Sequence, residues 1–341
     1  EMGSPQKRAS AEDSCIVGFY DAFLAPGGTS INLVLEWMDG GSLQDLVDAK
    51  VKAGVRIPEE FNAVACMCML RGLCELHEQR LLHRDLKPAN VLVSRSGAVK
   101  VSDFGVSIAF GLGSLSKAQT FVGSLSYMAP ERVHGEDTGY SYAADLWAVG
   151  LIAYVVATGK YPYADVDGGF WGLIHAVVSE PSPELSVAAG HSPELADFVA
   201  KCLRKKPEER PTAAQLLGHP LIQKAVRMSS DARAAAVAAQ LEPINDRDAR
   251  AELDRLLLIA HDFHAQRALQ LGHTAPRVSS ERIASLARQL GVVLTEEELF
   301  GKVETLRMGT TRSSVASTSP SSSRGGGGSG PSGPSGGFGG R

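Results

Sequence analysis

The chain has 341 residues, 44% of them hydrophobic and 21% charged, with a formal net charge of -4. At roughly 150 residues per domain this allows about two domains, or one large domain with appendages. Lysine and arginine total 34 against 38 acidic residues, so no polycationic surface argues for nucleic acid. The longest strongly apolar run, Leu146 to Val156, is far too short to span a bilayer. Five cysteines, odd in number and sparse, do not suggest a secreted disulfide framework. With no signal peptide ahead of the globular sequence, the expected compartment is the reducing cytoplasm. The chain opens with Glu1 rather than Met and reads as a fragment.

Residues 1–14 read as a linker or the remnant of a preceding lobe. Cys15 to Phe23 and Ile31 to Met38 are β-like runs joined by Pro26-Gly27-Gly28, which predicts a hairpin. Asp39-Gly40-Gly41 breaks the second strand, and Ser42 N-caps a helix through Leu46 and Val47. After Ile57, Pro58-Glu59-Glu60 opens a second helix, whose Phe61, Val64, Ala65, Cys68, Met69, Leu73 and Leu76 recur at helical spacing. Two short strands, Asn90 to Val93 and Val99 to Val101, flank a Ser96-Gly97 turn. The remainder to Ile222 is mainly helical. Leu146 to Val156 is apolar on nearly every face, the mark of a helix in the middle of a domain.

From 223 to 308 the composition shifts to Ala, Leu, Arg and Glu at helical spacing. Leu253, Leu256, Leu257, Ala260 and Phe263 form one stripe, and Thr295 with Glu298 makes a capping box. Residues 309–341 read as a disordered tail. The last 30 residues hold ten Ser, ten Gly and three Pro, with almost nothing to fill a core.

The densest chemistry lies in His83-Arg84-Asp85-Leu86-Lys87-Pro88-Ala89-Asn90, which sets a carboxylate, an ammonium and an amide between a buried helix and a short strand. Asp103-Phe104-Gly105 follows 18 residues after Asp85, then Ala129-Pro130-Glu131 and, far downstream, Arg210-Pro211. Taken singly, each is ordinary loop chemistry, because Asp, Asn and Gly favour turns. Taken in this order, with strands between them, they resemble the catalytic loop, metal-binding turn and activation-segment end of eukaryotic protein kinases.

That resemblance implies an α+β fold over 15–222: a truncated β N-terminal lobe and a complete helical C-terminal lobe, with the helical extension and tail appended. It implies ATP and Mg²⁺. Asp85 would accept the proton of the substrate hydroxyl, Lys87 would neutralise the γ-phosphate, and Asn90 and Asp103 would ligate Mg²⁺. Leu35 would back the adenine site, Glu36, Trp37 and Met38 would form the hinge, and Leu92 would floor the adenine. Asp45 either reaches the ribose or is a solvated helix residue. His83 and Arg84 belong to the supporting frame. So do the ion pair Glu131–Arg210 and Asp145, which in the family grips the backbone of the catalytic loop.

Lys87 and Ser124, in Gly123-Ser124, resemble the serine/threonine type. Ile-Val-Gly-Phe-Tyr-Asp-Ala-Phe, Glu-Trp-Met-Asp-Gly-Gly-Ser-Leu and Phe121-Val122-Gly123-Ser124-Leu125-Ser126-Tyr127-Met128-Ala129-Pro130-Glu131-Arg132 are similar to mitogen-activated protein kinase kinases, as is Asp103-Phe-Gly-Val-Ser107. This implies dual-specificity phosphorylation of a downstream kinase, with an upstream kinase acting on Ser116 and Thr120, or on Ser114 at the wider spacing of plant members. Phosphate there could pair with Arg84. Neither nucleic acid nor a membrane is an expected partner.

A kinase also needs a Gly-rich loop and a strand lysine paired to a helix glutamate, both ahead of Cys15. The preceding residues supply no such loop, Lys7 is too close to the strand, and Glu1 is a loosely spaced candidate for the glutamate. Weak or absent turnover is expected of the chain as it stands, and a pseudokinase-like scaffold is the alternative to an enzyme. Cys66, Cys68 and Cys74 read as core packing rather than metal ligands. His261 and His264 have no third ligand placed by pattern, and no calcium-binding loop occurs in the extension.

Overall fold

The structure, a computed structural model, describes residues 14–24, 31–103, 126–133, 141–241, 248–259, 279–289, 292–299 and 302. They belong to two compact units, Glu1–Asn245 and Asp246–Arg341. In the first, β1 (Phe19–Leu24) and β2 (Ile31–Leu35) precede α1 (Leu43–Ala53) and the long α2 (Glu59–Glu78). Then come β3 (Val91–Val93), β4 (Val99–Val101), the short α3 (Pro130–Val133) and α4 (Tyr142–Thr158). The unit closes with α5 (Gly169–Ser179), α6 (Pro193–Cys202), α7 (Ala213–Leu217), α8 (Pro220–Arg227) and α9 (Ser230–Ala238).

Local sequence starts these helices. Ser42 and Asp45 form a reciprocal capping box on α1, Thr212 and Gln215 another on α7, and Ser141, Ser192 and Ser229 cap α4, α6 and α9. Burial then fixes where they pack. α2 touches α4, α7, α8, α9 and β4. α4 is apolar around its whole circumference and accordingly buried on all sides, with Trp147, Leu151 and Ile152 fully enclosed. Gly150 lets α4 approach α6 closely: a Cβ there would lie 2.6 Å from Cys202 Cβ. Cys66 sits inside this core, and desolvation pushes its thiol up to about 12, holding it protonated and inert.

Both sheets are two-stranded and antiparallel, β1 with β2 and β3 with β4. The predicted hairpin is shorter than its sequence pattern. Residues 15–17 leave it and pair with β4 instead: Val17 N–H donates to Val101 O (2.9 Å), and Val101 N–H to Cys15 O (2.8 Å). Burial explains the change of partner. Cys15 and Val17 are buried there, whereas Phe19 and Tyr20 in β1 stay largely exposed. The turn 26–28 lies outside the described residues, as do Glu1 and Lys7.

The packed unit also continues past 222, where the sequence pattern places the start of the extension. Ala225 of α8 and Val237 of α9 are core residues, and the compact unit runs to Asn245. In the second unit, helical residues 248–259 bury Leu253 and Leu257, and Ser280–Gln289 buries Ile283 and Ala287. Thr295 and Glu298 form their capping box through bonds of 2.8 and 3.2 Å. Ala260, His261, Phe263, His264 and the tail 309–341 lie outside the described residues. No described helix is long and apolar enough to cross a membrane.

Candidate active site

The site begins with Asp145, a buried carboxylate in the first turn of α4. A charge there requires partners. Oδ2 accepts from His83 N–H (3.1 Å) and contacts His77 Nε2 (3.0 Å), while Oδ1 accepts from Arg84 N–H (3.1 Å). The central helix thus holds the backbone of the His83–Asp85 loop directly. Arg84 has φ of +72°, a left-handed conformation that costs a non-glycine residue and persists only when its surroundings impose it. Asp145 supplies that constraint from one side. Arg132 of α3 supplies it from the other, donating from Nη1 to Arg84 O at 2.8 Å.

His83 is fully buried, and its ring locks the loop to the end of β4. Nε2 meets Ser102 O at 2.9 Å, and Nδ1 accepts from Asp85 N–H at 3.4 Å. The neutral Nε2–H tautomer satisfies both contacts. Desolvation lowers the pKa of His83, outweighing the nearby Asp145, so the neutral ring is the favoured form.

On this frame Asp85, Lys87 and Asn90 converge. Lys87 Nζ lies 2.7 Å from Asp85 Oδ2, and Asn90 Nδ2 donates to Asp85 O (2.8 Å) and more loosely to Oδ2 (3.3 Å). Asp85 Oδ1 accepts no hydrogen bond from the described residues. The Lys87–Asp85 pair is partly exposed, so its contribution to stability is about 0–1 kcal/mol; its importance is positional. Ser102 donates from both N–H (2.8 Å) and Oγ (3.1 Å) to Asn90 O, which brings Asp103, the next residue, beside Asn90. Asp103 is exposed and, like Arg84, left-handed, with φ of +58°. With Nδ2 of Asn90 committed to Asp85, its Oδ1 and the Asp103 carboxylate remain as hard oxygen donors, a set that fits Mg²⁺.

The Ala129-Pro130-Glu131 segment is held by a second buried charge. Arg210 forms a two-pronged pair with Glu131 (2.7 and 2.6 Å) and donates to the carbonyls of Ala143, Lys205 and Arg204 at 2.9, 3.0 and 2.7 Å. All five N–H groups of the guanidinium are thereby used, and its face lies 5.3 Å from the Trp147 ring centroid. The Tyr161 hydroxyl donates to Ser126 O beside it, and burial raises that phenol's pKa.

The residues read as nucleotide contacts divide. Met38 is buried, Leu35 is 39% exposed, and Leu92 lies in β3 opposite Lys100. The Glu36 carboxylate ties the hairpin to β4, accepting from Lys100 Nζ (2.8 and 2.9 Å) and Gly18 N–H (2.9 Å). Asp45 serves the fold of α1. Its Oδ2 accepts from Ser42 N–H and Oγ at 2.9 and 2.6 Å, and these bonds lower its pKa. Asp45 is thus the N3 member of the α1 capping box, a role sequence reasoning did not assign it. Ser114, Ser116, Thr120, Ser124, Phe104 and Gly105 lie outside the described residues.

Sequence reasoning passes over His77, Lys100 and Arg132. For Lys100 a signal exists: a lone lysine between two valines in a buried three-residue strand must have a counter-charge.

Comparison with known proteins agrees with this geometry. A model described as "protein kinase domain" matches residues 7–222. Over 210 residues the chain is 40% identical to mitogen-activated protein kinase kinase 3 of Arabidopsis thaliana, covering 61% of this chain and 39% of that one. It is 42% identical over 200 residues to mitogen-activated protein kinase kinase 1c of Physcomitrium patens, covering 57% and 56%. It is 40% identical over 237 residues to the dual specificity mitogen-activated protein kinase kinase dSOR1 of Drosophila melanogaster, covering 62% and 56%. The match spans less than two thirds of each relative. The chain belongs to the protein kinase family and, within it, to the mitogen-activated protein kinase kinases.

Proposed function

We propose that this chain carries the phosphoryl-transfer centre of a dual-specificity kinase that moves the γ-phosphoryl of ATP to Thr and Tyr hydroxyls of a downstream mitogen-activated protein kinase. The observation that carries this reading is the convergence of Asp85, Lys87 and Asn90 on a backbone locked to Asp145 and Ser102. Asp85 Oδ1, free of protein donors among the described residues, takes the hydroxyl proton and orients the nucleophile. Lys87 offsets charge on the transferred group. Mg²⁺, held by Asn90 Oδ1 and Asp103, would neutralise the phosphate oxygens. Leu35, Met38 and Leu92, with the backbone of Glu36, border the adenine. A scaffold without catalysis has no chemical use for this set.

The switch is phosphorylation of Ser116 and Thr120 by an upstream kinase, with Ser114 as the wider-spaced alternative; the added charge orders the segment against Arg84. The test is incubation with Mg-ATP and a panel of kinase-inactive mitogen-activated protein kinases, using the protein with whatever upstream sequence its transcript encodes. Mass spectrometry should find phosphate on both Thr and Tyr of the target's activation segment. A double Ser116→Ala, Thr120→Ala variant should no longer respond to the upstream kinase. Phosphate on serine alone, or activation unchanged in the double variant, contradicts the proposal.

A further inference from the structure

Away from the Asp85 centre, a cavity of about 480 Å³ opens between the last turn of α2, the first turns of α4 and the 207–214 segment that leads into α7. This volume falls within the roughly 300–1,000 Å³ of small-molecule sites. Its wall is mostly apolar: Tyr142, Ala143, Leu146, Pro207, Pro211 and Ala213. Two of the hydroxyls on its wall are engaged, Ser141 in capping α4 and Thr212 in capping α7.

Two further lining residues give the cavity its importance. His77 contacts Asp145 Oδ2 at 3.0 Å, and Asp145 in turn accepts the N–H groups of His83 and Arg84. Tyr142 packs on the His77 ring, tilted by 43°, with centroids 4.4 Å apart. Arg210, which fixes Glu131, forms another part of the lining. The cavity is therefore bounded by one residue that is a single hydrogen bond from the anchor of the catalytic loop, and by another that directly holds the activation-segment end.

The charge pattern selects the occupant. Every N–H of Arg210 is already bonded within the protein, so the cavity offers an anion no free guanidinium donor. Glu78 and Glu208 line it as exposed carboxylates, and neither forms an ion pair among the described residues. An apolar wall with an aromatic face and acidic residues suits an organic cation whose ring or chain is buried and whose ammonium stays near the carboxylates.

We propose that this cavity is a binding site for hydrophobic amines, coupled through His77 and Asp145 to the backbone of the catalytic loop. Binding lies outside the phosphoryl-transfer reading and is tested without it. The probes are 4-phenylbutylamine, the neutral 4-phenylbutanol and the anionic 4-phenylbutyrate, titrated into the full chain with protein-observed NMR. The amine should saturate, binding about tenfold more tightly than the acid, a difference of about 1.4 kcal/mol. It should also alter hydrogen exchange at the His83 and Arg84 amides.

Ala214→Trp, an exposed lining position, should weaken amine binding by about tenfold by filling the mouth. Should that variant fold poorly, Glu78→Gln with Glu208→Gln gives a separate test: preference for the amine over the alcohol should vanish while the alcohol still binds. Absence of saturation, equal binding of amine and acid, or a retained amine preference in the double variant overturns the site. Saturable binding that leaves His83 and Arg84 exchange unchanged overturns the coupling.

Discussion

Asp145 and Arg210 are both buried and charged, and each holds one side of the active region, yet they do so by opposite means. Asp145 gathers two backbone N–H groups and one imidazole onto its two oxygens, all from residues 77–84. Arg210 spreads five donors over one carboxylate and three backbone carbonyls, and rests on Trp147. The first sets the path of a short strained loop; the second joins separate segments of the helical body. Removing the first should disturb chemistry more than stability, and removing the second should do the reverse.

The largest effect on stability should come from Arg210→Ala. It leaves Glu131 and three carbonyls without their donor, at about 3–5 kcal/mol. Calorimetry on the whole chain should show a correspondingly lower melting temperature, and Arg210→Lys should recover only part of it, since an ammonium lacks the planar fork. Asp145→Asn is the counterpart. Turning one oxygen toward the loop as an NH₂ group costs about 1–3 kcal/mol. Its clearest sign should be faster hydrogen exchange at the His83 and Arg84 amides. If Asp145→Asn proved as destabilising as Arg210→Ala, the contrast between the two anchors would fail.

A smaller loss is expected at Gly97, where φ is +91° and an added Cβ would fall 2.3 Å from Ala234 Cα. Gly97→Ala should cost about 1–3 kcal/mol and expose α9 to exchange, leaving the Asp145 and Arg210 networks intact. The smallest effect is in pH. Burial lowers the pKa of His83, so the unfolded chain binds more protons than the folded one once pH falls below about 6.5. Stability should therefore fall as pH drops through that value, toward the lowered folded pKa. The slope should be shallower in His83→Gln, measured by denaturant titration at pH 7.5 and at stepwise lower pH.

Much of this is legible in the sequence because the signals are local. The Ser42 cap, the Pro58-Glu59-Glu60 helix start, the Ser96-Gly97 turn and the apolar circumference of α4 each lie within a few residues of the element they define. The order of His83, Asp85, Lys87, Asn90 and Asp103 is legible for the same reason. What escapes depends on partners far along the chain. Nothing near Cys15 announces that it leaves the hairpin for β4, and nothing near Ala234 announces that α9 belongs to the core. His77 meets Asp145 across 68 residues, and Lys100 meets Glu36 across 64. Asp45 shows how local a signal can be: its capping box with Ser42 spans only three residues of chain.

The most direct measurement of the central claim is single-turnover transfer of the labelled γ-phosphoryl from ATP to a Thr- and Tyr-containing target, comparing the natural residue with Asp85→Asn in otherwise identical protein. Asp85→Asn should lower the transfer rate by about 10²–10⁴-fold with little change in melting temperature, because the substitution keeps shape and removes the base. Transfer at an undiminished rate with asparagine at position 85 would contradict the assignment of this loop as the catalytic centre.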